Sequence, residues 1–203
     1  MPQPVVISAA VEGLVDEAVA KKLIAHVGAE PGPVYGKQGK HHLQIKIDAY
    51  NNAARHAPWI VLVDLDRDAD CAPPLRLEWL PDPAPKLCFR IAVRAVEAWF
   101  MADRETLAEF LRVASHRIPT TPEALDDPKG EMVNLARHSR NRGIRKDMVP
   151  REESGRRVGP AYTSRLMEYV DGRWRPEAAA KHAGSLRRAI ECVRRLAGGS
   201  HDS

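Results

Sequence analysis

From Trp59 to Asp68 the chain reads Trp-Ile-Val-Leu-Val-Asp-Leu-Asp-Arg-Asp, an apolar run that passes directly into acids at every second position. An apolar run of this length, partly β-branched, predicts a strand buried on both faces of a parallel sheet. The acids begin where the apolar residues stop, so they fall at the strand's carboxyl end, where open α/β sheets bind ligands. If the extended conformation continues, Asp64 and Asp66 project the same way, about 7 Å apart by two strand rises. Two carboxylates that close repel unless a positive group lies between them. A divalent cation, Mg2+ above all, is the usual solution. A solvated acidic loop is the alternative, and Asp-x-Asp alone does not separate the two.

The flanking pattern builds a sheet around this strand. Val5-Val6-Ile7 opens a first strand, and Glu12-Gly13 follows it. Val15, Val19, Leu23, Ile24 and Val27 form a stripe at helical spacing, with Asp16 and Glu17 suited to the first turn. Val34-Tyr35 reads as a second short strand. Leu43 to Ala57 reads as a second helix, which Pro58 ends. Strand, helix, strand, helix, strand predicts parallel pairing with right-handed crossovers. Asp70 to Pro85, rich in proline, reads as a surface loop. Leu87 to Arg94 alternates as a strand with one polar face, or as an edge strand, and Ala95 to Asp103 reads as helical. Within it Trp99, Phe100 and Met101 read as core, and Asp103 as the cap of a further helix. Beyond Ile118 the pattern is helical, with starts at Pro122 and at Asp127-Pro128, a helix near Tyr162 to Tyr169, Ser185 capping a last helix, and a frayed tail from Gly198. The expected architecture is α/β, a Rossmann-like, mostly parallel sheet flanked by helices, with a helical C-terminal half. The expected division is a core over residues 1–115 and a helical, basic extension over 116–203, packed on the core.

Acids therefore stand at three strand–helix junctions: Glu12, then Asp64, Asp66 and Asp68, then Glu97. In a parallel sheet these junctions share one edge. The pattern resembles the Toprim domain, which has a glutamate in a Glu-Gly context after its first strand and Asp-x-Asp after its third. Here those are Glu12-Gly13 and Asp64-Leu65-Asp66. Glu97 and the loop Gly36-Lys37-Gln38-Gly39-Lys40 are similar to the Toprim of OLD-family nucleases. Residues 91–103 also resemble small bacterial Toprim-like proteins, some encoded beside an ATPase. The motifs span Val5 to Asp103.

The resemblance implies a metal-dependent nuclease that hydrolyses phosphodiesters. Asp64 and Asp66 would hold Mg2+ or Mn2+, Glu12 would be a metal ligand or general acid/base, and Asp68 and Glu97 would support a second metal. A cation is also needed for the charge that develops on phosphorus. Lys37, Lys40, Lys129 and Arg157 are candidates, and Lys40 joins Glu12, Asp64 and Asp66 in the catalytic set. A separate ATPase partner and a setting in phage defence or as a toxin follow from the resemblance alone. No ATPase domain is expected within this sequence, a departure from full OLD-family proteins, so any ATP hydrolysis would come from another chain.

Charge distribution bears on the partner. The formal net charge is only +4, but Arg137 to Arg157 holds eight basic residues against three acids. One basic segment thus sits on a nearly neutral body, which fits a phosphate-bearing partner. Arg140, Arg142, Arg145, Lys146 and Arg157, with Lys37 and Lys40, are the candidate nucleic-acid contacts, to DNA ahead of RNA. A solvated arginine-rich loop is the alternative, and for Lys37 and Lys40 a plain linker, since the glycine-lysine loop lacks the Walker spacing. His41 and His42 read as surface residues. No apolar run approaches membrane-spanning length. The three cysteines are scattered, and no secretory signal is visible, so a reducing cytoplasm is expected. A homo-oligomer remains open. The rival readings are a non-catalytic Toprim-shaped module that binds nucleic acid or a partner protein, a metal-dependent phosphatase, and a glycosyltransferase-type Asp-x-Asp. The phosphatase expects Thr or Val where Asp68 stands, and expects the motif on its first strand.

Overall fold

A computed structural model describes residues 3–198. The chain forms two compact units, one running to Val93 and resuming at Ser185, the other spanning Arg94–Gly184. The division expected at residue 115 therefore lies at 93, and the last helix returns to the first unit.

The first unit is α/β. Strands β1 (Val6–Val11), β2 (Glu30–Gly36), β3 (Trp59–Asp64) and β4 (Leu87–Ala92) pair in parallel in the order β2-β1-β3-β4. Helices α1 (Leu14–His26), α2 (Lys40–Ala53) and α3 (Ala72–Trp79) make the crossovers. The chain steps from β1 to β2 on one side and then crosses to β3 on the other, so β1 and β3 flank the point where strand order reverses.

Beyond its first residue β3 is buried throughout, as its apolar run predicts. Val61, Val63, Phe89 and Ile91 face one side, where Leu43, Ile47 and Tyr50 of α2 and Leu75 and Trp79 of α3 meet them. Cys88 faces the opposite side and touches Cys192 of the last helix, α10 (Gly184–Leu196). Covering β4 on both faces explains why its expected polar face is largely buried, with only Arg90 half-exposed. β2 is the exposed edge, carrying Pro31 and Pro33, which cannot donate to another strand.

Two expectations change here. Residues 70–85 are not all loop, because α3 forms with Pro73 and Pro74 in its first turn, where the missing N–H groups cost nothing. Ser185 lies inside α10, and its hydroxyl accepts from the Val93 N–H at 3.2 Å.

The second unit is helical: α4 (Val96–Ala102), α5 (Arg104–Leu111), α6 (Pro128–Arg137), α7 (Arg142–Met148), α8 (Tyr162–Gly172) and α9 (Pro176–Ala179). Every residue of α4 is buried. Trp99, Phe100 and Met101 are core, and Phe100 packs edge-on against Tyr169 and Trp174. Asp127 caps α6 as expected, accepting from Gly130 N–H at 3.0 Å. Asp103 does not cap α5. It grips Arg175, with the guanidinium Nη2 at 2.7 Å and Nε at 3.1 Å. The basic segment is not an open loop either, since α7 forms within it, capped by the Asn141 side chain. The expected fraying from Gly198 falls almost wholly outside the described residues. Among the described residues no helix is long and apolar enough to cross a membrane.

Candidate functional site

The carboxyl ends of β1 and β3 are adjacent in the sheet, with Val11 paired to Leu62. Glu12 follows β1 directly and Asp64 closes β3. The structure joins them, as the Asp64 N–H donates to Glu12 Oε1 at 2.8 Å. Two carboxylate residues from distant parts of the sequence thus meet at the reversal point of the sheet. Asp64 is buried, 8 % exposed, and Glu12 is half-buried.

The loop Gly36–Gly39 is tied to the same edge. Lys37 N–H donates to Val11 O at 2.8 Å and Gly39 N–H to Glu12 O at 3.0 Å. Gly36 is fixed there by sterics: its φ is +85°, and a Cβ would stand 2.4 Å from Val11 O. The loop places Lys40 at the start of α2, where its ammonium bridges Asp66 Oδ2 at 2.8 Å and Asp68 Oδ2 at 2.7 Å. Burial alone would lower the Lys40 pKa. The hydrogen bonds to Asp66 and Asp68, with the charge of Glu12, outweigh it and hold the pKa above the ordinary lysine value. Asp66 itself adopts φ 51°, so the strand does not continue extended through the motif. The two aspartates therefore do not project in parallel as the extended geometry predicts. The turn instead delivers Asp66 to the lysine.

Glu12, Lys40, Asp64, Asp66 and Asp68 belong to the first unit, with Glu12 joined to Asp64 and Lys40 joined to Asp66 and Asp68. Glu97 belongs to the second unit. It is 2 % exposed, and its Oε1 accepts from Tyr162 Oη at 3.0 Å. Lys129 Nζ lies 3.9 Å from the same oxygen, while Oε2 is buried without a hydrogen-bond partner. Tyr162 had no sequence signal as a carboxylate donor, standing 65 residues from Glu97. Lys37 pairs with Glu17 at 3.0 Å, and Arg157 with Asp127 at 3.0 Å. Arg145 donates to the Ser139 carbonyl. Arg140, Arg142 and Lys146 are exposed.

The chemistry of the edge suits a hard cation, because its donors are carboxylate oxygens. Among the described residues, however, no group of three or more such ligands is gathered ready to hold an ion. The Lys40 ammonium takes Asp66 and Asp68, so a metal using Asp66 must displace it. Comparison with models of known families, with curated proteins and with solved structures gives no match.

Proposed function

We propose that the chain is a Toprim-like, metal-dependent phosphodiesterase acting on nucleic acid, with the carboxyl edge of the first unit as its site. One observation carries the reading: Glu12 and Asp64 meet at the reversal point of a parallel sheet, with Lys40 on Asp66 and Asp68 beside them. Glu12, Asp64 and Asp66 would hold Mg2+ or Mn2+, which supplies charge stabilisation at the phosphoryl oxygens. Glu12 is placed to orient the site, because its contact with the Asp64 backbone couples the ends of β1 and β3. Lys40, once released from Asp66, supplies an ammonium for the charge that develops on phosphorus. The exposed Arg140, Arg142 and Lys146 are the candidate strand contacts. A separate ATPase partner is compatible with this chemistry and unnecessary to it.

A second reading has its own observation. Lys40 already neutralises two of the four carboxylates, as it would in a non-catalytic module whose acids serve structure. Incubating the protein with plasmid, single-stranded DNA and RNA, each in EDTA, Mg2+ and Mn2+, decides between them. Cleavage in metal alone, lost in Asp64→Asn, is the expected result. Intact substrates in every metal condition would sink the enzymatic reading and leave the binding module.

A further inference from the structure

The second unit contains a cavity of about 940 Å³, near the upper end of the range for small-molecule sites. One wall is a face of α5. Arg104 and Ala108 lie on the helix and Arg112 is the C-cap that follows its last residue, so the backbones of the two arginines stand about 12 Å apart along the axis with a small residue between them. Arg140 lines the cavity too, and its backbone N–H donates to Arg112 O at 3.1 Å, fixing that segment against the end of α5.

These three guanidinium groups have no carboxylate partner among the described residues. The two acids of the same wall are engaged elsewhere, Glu105 by Arg175 at 2.8 Å and Glu109 by Arg173 at 3.8 Å. Arg104 is held by one bond, from Nη2 to Ser115 O at 3.1 Å, while its Nε is buried without an acceptor. Three like charges around one cavity repel, and an anion with several acceptor oxygens relieves that repulsion. Guanidinium forks match phosphate geometry, and arginines anchored about 12 Å apart along the backbone suit a ligand with more than one anionic group better than a single carboxylate.

We propose that this cavity is a phosphate-binding site, taking the phosphate groups of a nucleotide or of a nucleic-acid strand. It stands on the second unit alone and does not depend on the metal reading of the sheet edge.

The test uses the full chain in EDTA, so that cleavage plays no part. Binding of a short fluorescein-labelled DNA strand and of ATP is measured over a salt series. Three proteins are compared: wild type, Arg112→Asn/Arg140→Gln, and a control that removes equal charge from α10, Arg187→Gln/Arg188→Gln. Arg112 has φ 55°, a conformation asparagine tolerates, and Arg112 and Arg140 are both exposed. The cavity variant is expected to weaken binding about tenfold or more. For the strand it should also flatten the salt slope by about two, whereas the control changes little. Loss of strand binding that ATP does not compete assigns the site to nucleic acid, and loss of saturable ATP binding assigns it to a free nucleotide. Either supports the site. Failure of both probes to bind the wild type, or equal losses in cavity and control variants, overturns it. Should the cavity variant not fold, Arg112→Lys/Arg140→Lys carries the test, because it keeps the charge and removes the forks. A loss of about threefold or more supports the site, and unchanged affinity overturns it.

Discussion

At the carboxyl edge of the sheet, Lys40 is shared between Asp66 and Asp68 while Glu12 and Asp64 stand beside them. In the second unit the arrangement reverses, with Asp103 and Glu105 sharing Arg175 and three arginines around a cavity left without a carboxylate partner. Both places use a cation bridging two acids, but burial differs. Asp66 and Asp68 are about half exposed, at 53 % and 46 %, so releasing Lys40 leaves each carboxylate in water. Asp103 is 1 % exposed, so releasing Arg175 strands a buried charge. The same pairing can therefore be exchanged in one unit and is structural in the other. Only the exchangeable one suits a ligand site.

The largest expected effect is on activity at the edge. Asp64→Asn removes one carboxylate where β1 and β3 meet and keeps the shape of the side chain. On the metal reading it lowers metal-dependent cleavage by about 10³-fold, the loss of several kcal/mol of charge stabilisation. Thermal unfolding should stay at the wild-type temperature or rise, since a repelling charge has gone. A protein that unfolds well below wild type would place Asp64 among the structural carboxylates, alongside Asp103.

Arg175→Ala probes the structural side. Burial pushes the Asp103 carboxyl up, but the hydrogen bonds from Arg175 outweigh it and hold the pKa below the ordinary value. A depressed pKa contributes stability that is present above the unfolded value, near pH 4, and lost as the pH falls through the folded one. Removing Arg175 should cost about 2 kcal/mol at neutral pH, since half-exposure of Arg175 tempers the penalty. It should also invert the trend. The variant's stability deficit shrinks on acidification, because burial, the largest influence on Asp103, is then opposed only by the Thr106 hydroxyl and the backbone N–H of residue 175. Thermal melts from neutral pH down to about pH 4 read this directly, and a deficit that stays constant with pH would remove Asp103 as the cause.

How much of this could be read from sequence depended on the range of each interaction. β3 and its acids were legible because an apolar run running into acids is a local pattern, and parallel order followed from the alternation of strands and helices. The meeting of Glu12 with Asp64 was legible in outline, since both close strands of one sheet. The Lys40 bridge was not, because it depends on Gly36 and Gly39 tying the loop to the end of β1, 26 and 28 residues from its partners. Asp103 read as a cap because a local role was available, while Arg175, 72 residues on, took it instead. By contrast α3 and α7 carried visible signals, Pro73-Pro74 in a first turn and Asn141 as a cap, with Ile144 and Met148 four apart. Proline content and charge masked them. Arg104 and Arg112 were also visible as arginines eight apart, but the pairing of Glu105 and Glu109 with Arg175 and Arg173 exists only in the folded unit.

The smallest effect separates the two kinds of bridge most directly. Lys40→Met keeps the aliphatic stem and removes the ammonium, leaving Asp66 and Asp68 to repel. Half-exposed carboxylates are screened, so the loss is about 1 kcal/mol, or a fall of roughly 2–4 °C in melting temperature for a chain of this size. A divalent cation can then take the place of the ammonium. Added Mg2+ or Mn2+ should restore the melting temperature of Lys40→Met and raise that of wild type less, because in wild type the ion must displace Lys40. The same ions should do nothing for Arg175→Ala, whose stranded carboxylate is buried and out of reach. If Mg2+ and Mn2+ leave Lys40→Met as unstable as in EDTA, the edge is not a cation site, and Lys40 is as structural as Arg175.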